Sequence, residues 1–83
     1  MFEPTMTFSL TDIEDQQIRA ILSEVYDALA EKGYNPESQI VGYILSEDPT
    51  YITTNRGART LIKKLDRDDM LRAMVRSFLG KEK

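Results

Sequence analysis

Apolar residues recur along most of the chain with the spacing of helices. Between residues 12 and 32 they fall three and four positions apart, while acidic residues dominate the remaining positions. Because a helix has 3.6 residues per turn, this spacing predicts an amphipathic helix with one buried face. Thr11 and Glu14 have the spacing of a capping box at its start, and Gly33 is placed to end it. The predicted core positions are Ile18, Ile21, Leu22, Val25 and Leu29.

A second predicted helix, residues 36–46, carries no charge from Ser38 onward. Asn35 is placed to cap this helix, and Pro36 fits its first turn. A helix that is apolar nearly all round is normally surrounded by protein, so we expect other helices to cover it. Gly42 in its middle predicts a close approach, by another part of the fold or by a second copy of the chain. The candidate core or dimer contacts are Ile40, Gly42, Tyr43 and Ile44.

Two more helices are predicted over residues 55–65 and 67–80. Their apolar stripes have different phases, and a single continuous helix would place acidic residues in the core. The first stripe contains Ala58, Leu61, Ile62 and Leu65, and the second contains Met70, Leu71, Met74, Val75, Phe78 and Leu79. The sequence therefore predicts an all-α domain of about four helices over residues 11–83.

The connector before the third helix, residues 50–54, is predicted to be a loop. Tyr51 and Ile52 are expected to pack inward from it, and Thr54 or Asn55 is expected to cap the helix that follows.

Residues 1–10 lack helical spacing and contain Pro4. Apolar Met6 and Phe8 alternate here with hydroxyl-bearing residues. This pattern predicts a flexible N-terminal arm, which is either a short strand against the domain or a tail with apolar anchors.

Charge is distributed unevenly along the chain. Residues 1–50 carry ten acidic and two basic residues, a net charge of −8, whereas residues 51–83 carry nine basic and four acidic residues, a net charge of +5. One interpretation is that the two halves pack on each other, within the fold or across a dimer. The other is that the basic half binds a phosphate-bearing partner. The candidate phosphate-docking cations are Arg56, Arg59, Lys63, Lys64 and Arg67.

The composition excludes several classes of chemistry. The chain has no cysteine and no histidine, which removes thiol nucleophiles, disulfides, the usual zinc sites and imidazole acid–base catalysis. The glycines lack the spacing of a phosphate-binding loop, and the carboxylates of the first helix are typical of a solvated face. We therefore predict no catalytic residue, no metal and no cofactor. No segment approaches the roughly 18 apolar residues of a membrane span and no secretion signal is evident, which predicts a cytoplasmic protein without membrane insertion.

One group of residues carries a family resemblance over essentially the whole chain. The group comprises Gly33-Tyr34-Asn35-Pro36, Gln39-Ile40-Val41-Gly42-Tyr43, Leu45, Ser46, Asp48-Pro49, Tyr51-Ile52, Ala58-Arg59, Ile62, Lys64, Arg67 and Asp68. These residues resemble the IreB family of small bacterial regulatory phosphoproteins. The most specific part is the segment from Gly33 to Ile52, because a run of this length without charge substitutions is not a generic helix pattern.

The resemblance implies a cytoplasmic, non-enzymatic, dimeric protein that is a substrate of a transmembrane Ser/Thr kinase. It further implies a phosphatase, an unidentified downstream protein, and a role in the cell-envelope stress response of Gram-positive bacteria. The family's phosphoacceptor is a threonine in the arm shortly before an aromatic residue, which corresponds to Thr5 ahead of Phe8. Thr7 is a second acceptor or simply a polar position.

Two residues depart from the family pattern. Pro4 precedes Thr5 where family members usually have an acidic residue, which bears on kinase recognition. Glu47 replaces the family's glycine before Asp48-Pro49. The alternative from another class is a small helix-turn-helix-like DNA-binding regulator. Because the net charge is acidic and acids occupy the first turn of the last helix, we do not expect nucleic acid as a partner.

Overall fold

The chain is all-α over the part that the structure describes. The structure is a computed structural model that describes residues 10–80, with side chains from Glu14 onward. Within that range there are four α-helices and no strand, as predicted. The helices are α1 (Leu10–Glu31), α2 (Pro36–Ser46), α3 (Ala58–Ile62) and α4 (Arg67–Leu79), and 3-10 turns form at Pro49–Tyr51 and Asn55–Gly57. The predicted arm, residues 1–10, lies outside the described residues except for Leu10, the first residue of α1.

The long helix α1 is the centre of the fold, because α2, α3 and α4 all pack against it. It begins one residue before Thr11, so the predicted cap lies inside the helix. Gly33 has a φ of 86° and ends the helix in the left-handed conformation, where the Tyr34 N–H donates to the Leu29 carbonyl. The predicted core face of α1 is confirmed. Ile18, Val25, Ala28 and Leu29 are buried, and Ile21 and Leu22 are half-buried.

The second helix begins as the sequence indicates, since the Asn35 Oδ1 accepts a hydrogen bond of 3.0 Å from the Ser38 N–H and Pro36 follows. The expectation that protein surrounds α2 is wrong for the described residues. Val41 is 49% exposed and Leu45 is 80% exposed. The helix buries one face against α1 and leaves the other face exposed. The absence of charged residues does not require burial, because folded proteins expose many apolar side chains.

The third helix is shorter than the predicted range 55–65. Arg56 takes a φ of 57° and Gly57 a φ of 71°, so the backbone is left-handed just before α3. Neither Thr54 nor Asn55 caps α3 as predicted, because Gly57 occupies the position before the helix. The Asn55 side chain instead donates to the Ala28 carbonyl (3.1 Å) and to Glu31 Oε1 (2.8 Å), which ties this turn to the end of α1. Ala58 and Ile62 are then fully buried.

The fourth helix starts after Asp66, whose carboxylate accepts a hydrogen bond from the Asp69 N–H, and it ends at left-handed Gly80. Its predicted apolar stripe is only partly buried. Within the stripe Met70 is fully buried and Met74 is half-buried against the core, whereas Leu71, Val75, Phe78 and Leu79 are exposed; Ala73, outside the predicted stripe, is also buried. The predicted stripe is therefore two surfaces, one packed on α1 and one exposed.

Candidate functional site

The close approach expected at Gly42 is made by Tyr51 of the same chain. A Cβ atom at Gly42 would lie 2.4 Å from the Tyr51 Cε1, so the ring rests directly on the α2 backbone. Gln39 Nε2 donates to the Tyr51 carbonyl at 2.9 Å and holds the turn in place. Tyr43 and Ile44 are buried, and Ile40 packs half-buried against the core. These candidate residues thus contribute contacts within one chain.

The charged halves of the chain pack on each other within the fold. Arg56 pairs with Glu24 at 2.7 Å and lies 3.8 Å from Glu31, both on α1. Arg76 on α4 pairs with Asp15 on α1 at 2.5 Å. These pairs are partly exposed, and such pairs typically contribute about 0–1 kcal/mol each. These pairs join the acidic first half and the basic second half within one chain.

Contacts within the protein already involve the candidate docking arginines. Besides the Arg56 pairs, Arg59 Nε donates to the Ile52 carbonyl at 2.8 Å. Arg67 donates to the Ile44 carbonyl and to the Glu47 carboxylate. A phosphate at any of these guanidinium groups would compete with an existing acceptor.

The two candidate lysines, Lys63 and Lys64, are exposed and make no ion pair with another described residue. Lys64 lies near Glu14 and Gln17 of α1, whereas Arg67 lies at the end of α2 beside Glu47. The five candidate cations therefore do not converge on one site.

An apolar groove lies between α1, α2 and α4, and we name it the α1/α4 groove. It encloses about 530 Å³. Its apolar lining consists of Ile18, Leu22, Tyr26, Ile40, Ala73, Met74 and Phe78, and its polar rim consists of Asp15, Arg19, Ser23 and Ser77. Sequence analysis missed this groove. The available signal was that α4 carries more apolar residues than one buried face requires.

Two arginines join α1 and α4 at or beside the rim of the α1/α4 groove. Arg76 binds Asp15 through two of its three guanidinium nitrogens, with Nη2 at 2.5 Å from Oδ1 and Nε at 3.2 Å from Oδ2. Arg19 Nη2 donates to the Ser77 Oγ at 3.2 Å. These contacts also connect the exposed side of α1 to α4.

A second apolar surface continues from this groove around α4. It consists of Leu71, Val75, Phe78 and Leu79, and we name it the outer face of α4. Phe78 is 90% exposed, which is high for an aromatic side chain. Contiguous exposed apolar residues of this kind are typical of interaction surfaces.

Two described groups have shifted pKa values. The Thr50 hydroxyl and the Thr50 backbone N–H donate to Asp48 at 2.7 Å and 3.0 Å and lower the pKa of that carboxyl, because they stabilise its charged form. The Asp68 carboxylate, 2.8 Å from the Arg72 Nε, raises the pKa of that guanidinium. Asp66, Asp68 and Asp69 lie close together and exposed at the start of α4, where a helix N-terminus favours negative charge.

The described residues thus define a small all-α protein whose notable features are surfaces and paired charges. No described helix is long and apolar enough to cross a bilayer. Residues 3–80 match the family described as IreB regulatory phosphoprotein. Because the match covers nearly the whole chain, the chain belongs to the IreB family. The matched range contains Thr5 and Thr7, which lie outside the described residues.

Proposed function

We propose that this protein is a non-enzymatic regulatory phosphoprotein of the bacterial cytoplasm. A Ser/Thr kinase phosphorylates Thr5 in its N-terminal arm, with Thr7 as a second acceptor, and a phosphatase reverses the reaction. The protein then modulates the cell-envelope stress response by binding a downstream protein. The observation that carries this proposal is the family match over residues 3–80, which includes the arm.

The structure supports a binding role in two ways. The described helices expose apolar surface at the outer face of α4, as a protein with a macromolecular partner does. In addition, the arginines that a DNA-binding regulator would present from α3 and the turn before it contact the protein's own carboxylates and carbonyls. The helix itself has only five residues, so it is a poor recognition helix for a DNA groove.

We further propose that the protein is a homodimer that associates through the outer face of α4. A two-fold contact uses the same surface patch on both subunits, and a single helix with an apolar outer face meets that requirement. The sequence suggests Ile40, Gly42, Tyr43 and Ile44 for a core or dimer contact, but these residues are largely covered by their own chain and are less suited to a dimer contact.

Phosphorylation of the purified chain by the cytoplasmic domain of a transmembrane Ser/Thr kinase tests the proposed modification. Mass spectrometry should locate the phosphate on Thr5, and Thr5→Ala should abolish most of the incorporation. Thr60→Ala is the matched control, because Thr60 is exposed on α3 and should not matter. Incorporation that persists in a Thr5→Ala/Thr7→Ala variant would contradict the arm as the acceptor segment.

The alternative function, DNA binding, is tested by titrating duplex DNA at two salt concentrations. A protein that neutralises phosphates binds DNA with an affinity that falls steeply with salt. We expect no such binding.

A further inference from the structure

We propose that two copies of the chain complete each other by a reciprocal insertion, in which Phe78 of each copy fills the α1/α4 groove of the other. This inference deepens the homodimer proposed above and rests on it. It adds that the groove is an incomplete site in a single chain, and that the second copy supplies the side chain that completes it.

Phe78 is the most exposed of the large apolar side chains in the part of the chain that the structure describes. It is 90% exposed and lies in the last turn of α4, one residue before the helix ends at Leu79. An aromatic side chain carries a large apolar area, and aromatic residues are enriched in the cores of protein interfaces. Phe78 therefore has the exposure and the chemistry of an anchor for another protein surface.

The α1/α4 groove has the size and the lining that a phenylalanine side chain requires. It encloses about 530 Å³ between apolar side chains of three helices, and Ala73 leaves room in it because its side chain is a single methyl group. Tyr26 is half exposed along the groove and offers a ring against which a second ring packs. Phe78 of the same chain lies at the edge of the groove but, at its high exposure, does not fill it.

The inserting side chain and the groove belong to one continuous apolar surface. Met74 and Phe78 line both the α1/α4 groove and a shallow apolar hollow along the outer face of α4. A two-fold dimer brings one surface patch of a copy against the same patch of the other copy. Because Phe78 lies at the edge of the groove, a two-fold axis beside it places each Phe78 at the groove of the other copy. One contact then fills both grooves.

The exposed area indicates that the outer face of α4 needs the groove to form a stable dimer. If a fully exposed large side chain has roughly 200 Å², the outer face of α4 leaves about 500 Å² open to solvent. A stable interface typically buries about 800 Å² on each partner. Two outer faces alone fall short of this area, and the lining of the groove together with Tyr26 supplies the remainder.

The charges beside this surface allow a second copy to approach. The chain has a net charge of −3, so two copies repel each other at long range. At the surface itself, Asp15 is paired with Arg76, and Asp68 is paired with Arg72 along α4. Each of these carboxylates has a cation of its own chain beside it, which reduces the like-charge repulsion between two identical surfaces.

The dissociation constant of the dimer, measured by analytical ultracentrifugation over a concentration series, tests the anchor. Phe78→Ala should raise this constant at least about thirtyfold, as removal of an interface anchor does. Leu45→Ala is the matched control, because Leu45 is 80% exposed on α2 outside the groove, and it should change the constant less than about threefold. Circular dichroism should show both variants folded, since both side chains are exposed. Equal effects of the two variants, or no effect of Phe78→Ala, would overturn the proposal.

A charge placed in the groove tests the receiving surface. Ser23→Arg adds a guanidinium at the exposed wall of the groove and should raise the dissociation constant at least about tenfold, because insertion of the ring would bury that charge. Ala30→Arg is the control, since it adds the same side chain at an exposed position of α1 outside the groove.

The same series separates this inference from the dimer on which it rests. If Leu71→Ala weakens the dimer and Ser23→Arg does not, the copies associate through the outer face of α4 alone. That result would overturn the insertion and keep the proposed homodimer. A wild-type chain that stays monomeric throughout the series would overturn both.

Photo-crosslinking identifies the contact directly. p-Benzoylphenylalanine is installed in place of Phe78 in a mixture of nitrogen-14 and nitrogen-15 chains, so that a crosslinked peptide pair of mixed isotopes comes from two copies. We expect such pairs to include the tryptic peptide of residues 20–32, which carries Leu22, Ser23 and Tyr26 of the groove. Crosslinks confined to α4 of the second copy, or an equal yield when the photoreactive residue replaces Leu45, would overturn the insertion.

Discussion

The two helices that follow the central turns, α3 and α4, differ in how they meet α1. α3 has five residues and buries Ala58 and Ile62 completely, whereas α4 has thirteen residues and buries only Met70 and Ala73. α4 nevertheless carries more apolar residues than α3. The two helices are also tied to different partners: Asn55 ties the start of α3 to α1, whereas Arg67 ties the start of α4 to α2 and Arg76 ties the later part of α4 to α1. α4 therefore leaves apolar surface available for binding at Leu71, Val75, Phe78 and Leu79.

Truncation of one apolar side chain on each helix gives the strongest test of this comparison. Ile62→Ala should lower the free energy of unfolding by about 2–5 kcal/mol, because it leaves a cavity in the core. Leu71→Ala on the exposed side of α4 should cost less than about 1 kcal/mol in the monomer. Urea denaturation of both variants at low protein concentration measures the difference. Similar losses would show that α4 is as firmly packed as α3.

The contact between Tyr51 and Gly42 predicts a strong energetic coupling between substitutions at these two residues. Gly42→Ala should destabilise the wild-type chain by about 1 kcal/mol, since overfilling a tight site costs about 1–3 kcal/mol and alanine recovers about 1 kcal/mol in a helix. In a Tyr51→Ala background the same change should instead stabilise the protein by up to about 1 kcal/mol. Thermal melts of the wild type, the two single variants and the double variant complete the double-mutant cycle. Equal effects of Gly42→Ala in both backgrounds would mean that the ring does not press on α2.

The ion pair between Asp15 and Arg76 predicts how firmly α4 is held against α1. Asp15→Asn should lower the free energy of unfolding by about 1 kcal/mol and reduce hydrogen-exchange protection in α4 before that in α3. Asp68→Asn is the control, because its pair with Arg72 lies within α4, is fully exposed and should contribute less. Loss of protection first in α3 would contradict the assignment of α4 as the loosely held helix.

The smallest expected effect concerns Glu47, which ends α2 with a φ of 63°. Glu47→Gly removes the backbone strain of a left-handed residue but also the pair with Arg67, so the net change should stay within about 1 kcal/mol and favour stability. Glu47→Ala keeps the strain and loses the pair, and it should destabilise by about 1 kcal/mol. Comparison of the melting temperatures of the two variants separates the effect of the backbone strain from the effect of the lost ion pair. Glycine adopts a left-handed backbone without strain, which gives a physical reason for the glycine that the family resemblance predicts at this position.

Local signals predicted much of this fold. Gly33 and the pair Asn35-Pro36 end and start helices as expected, because capping depends on residues adjacent in sequence. The α1 core positions followed from periodicity alone. The interruption at Arg56 was not predictable, since a non-glycine residue in left-handed backbone has no sequence signature. The α1/α4 groove depends on how three helices meet, and Thr5 and Thr7 as acceptors stay predictions from the family.

The contacts of Asn55 with α1 bear on the order in which the chain assembles during synthesis. They join residues 27 and 24 positions apart, whereas the contacts of α4 with α1 join residues 58 and 61 positions apart. Closing the shorter loop costs less conformational entropy, and proteins begin to fold from the N-terminus as they emerge from the ribosome. The packing of α1, α2 and α3 can therefore form before α4 docks on α1. A nascent chain at that stage would still expose the surface of α1 that α4 later covers, and it would be a target for chaperones until α4 arrives.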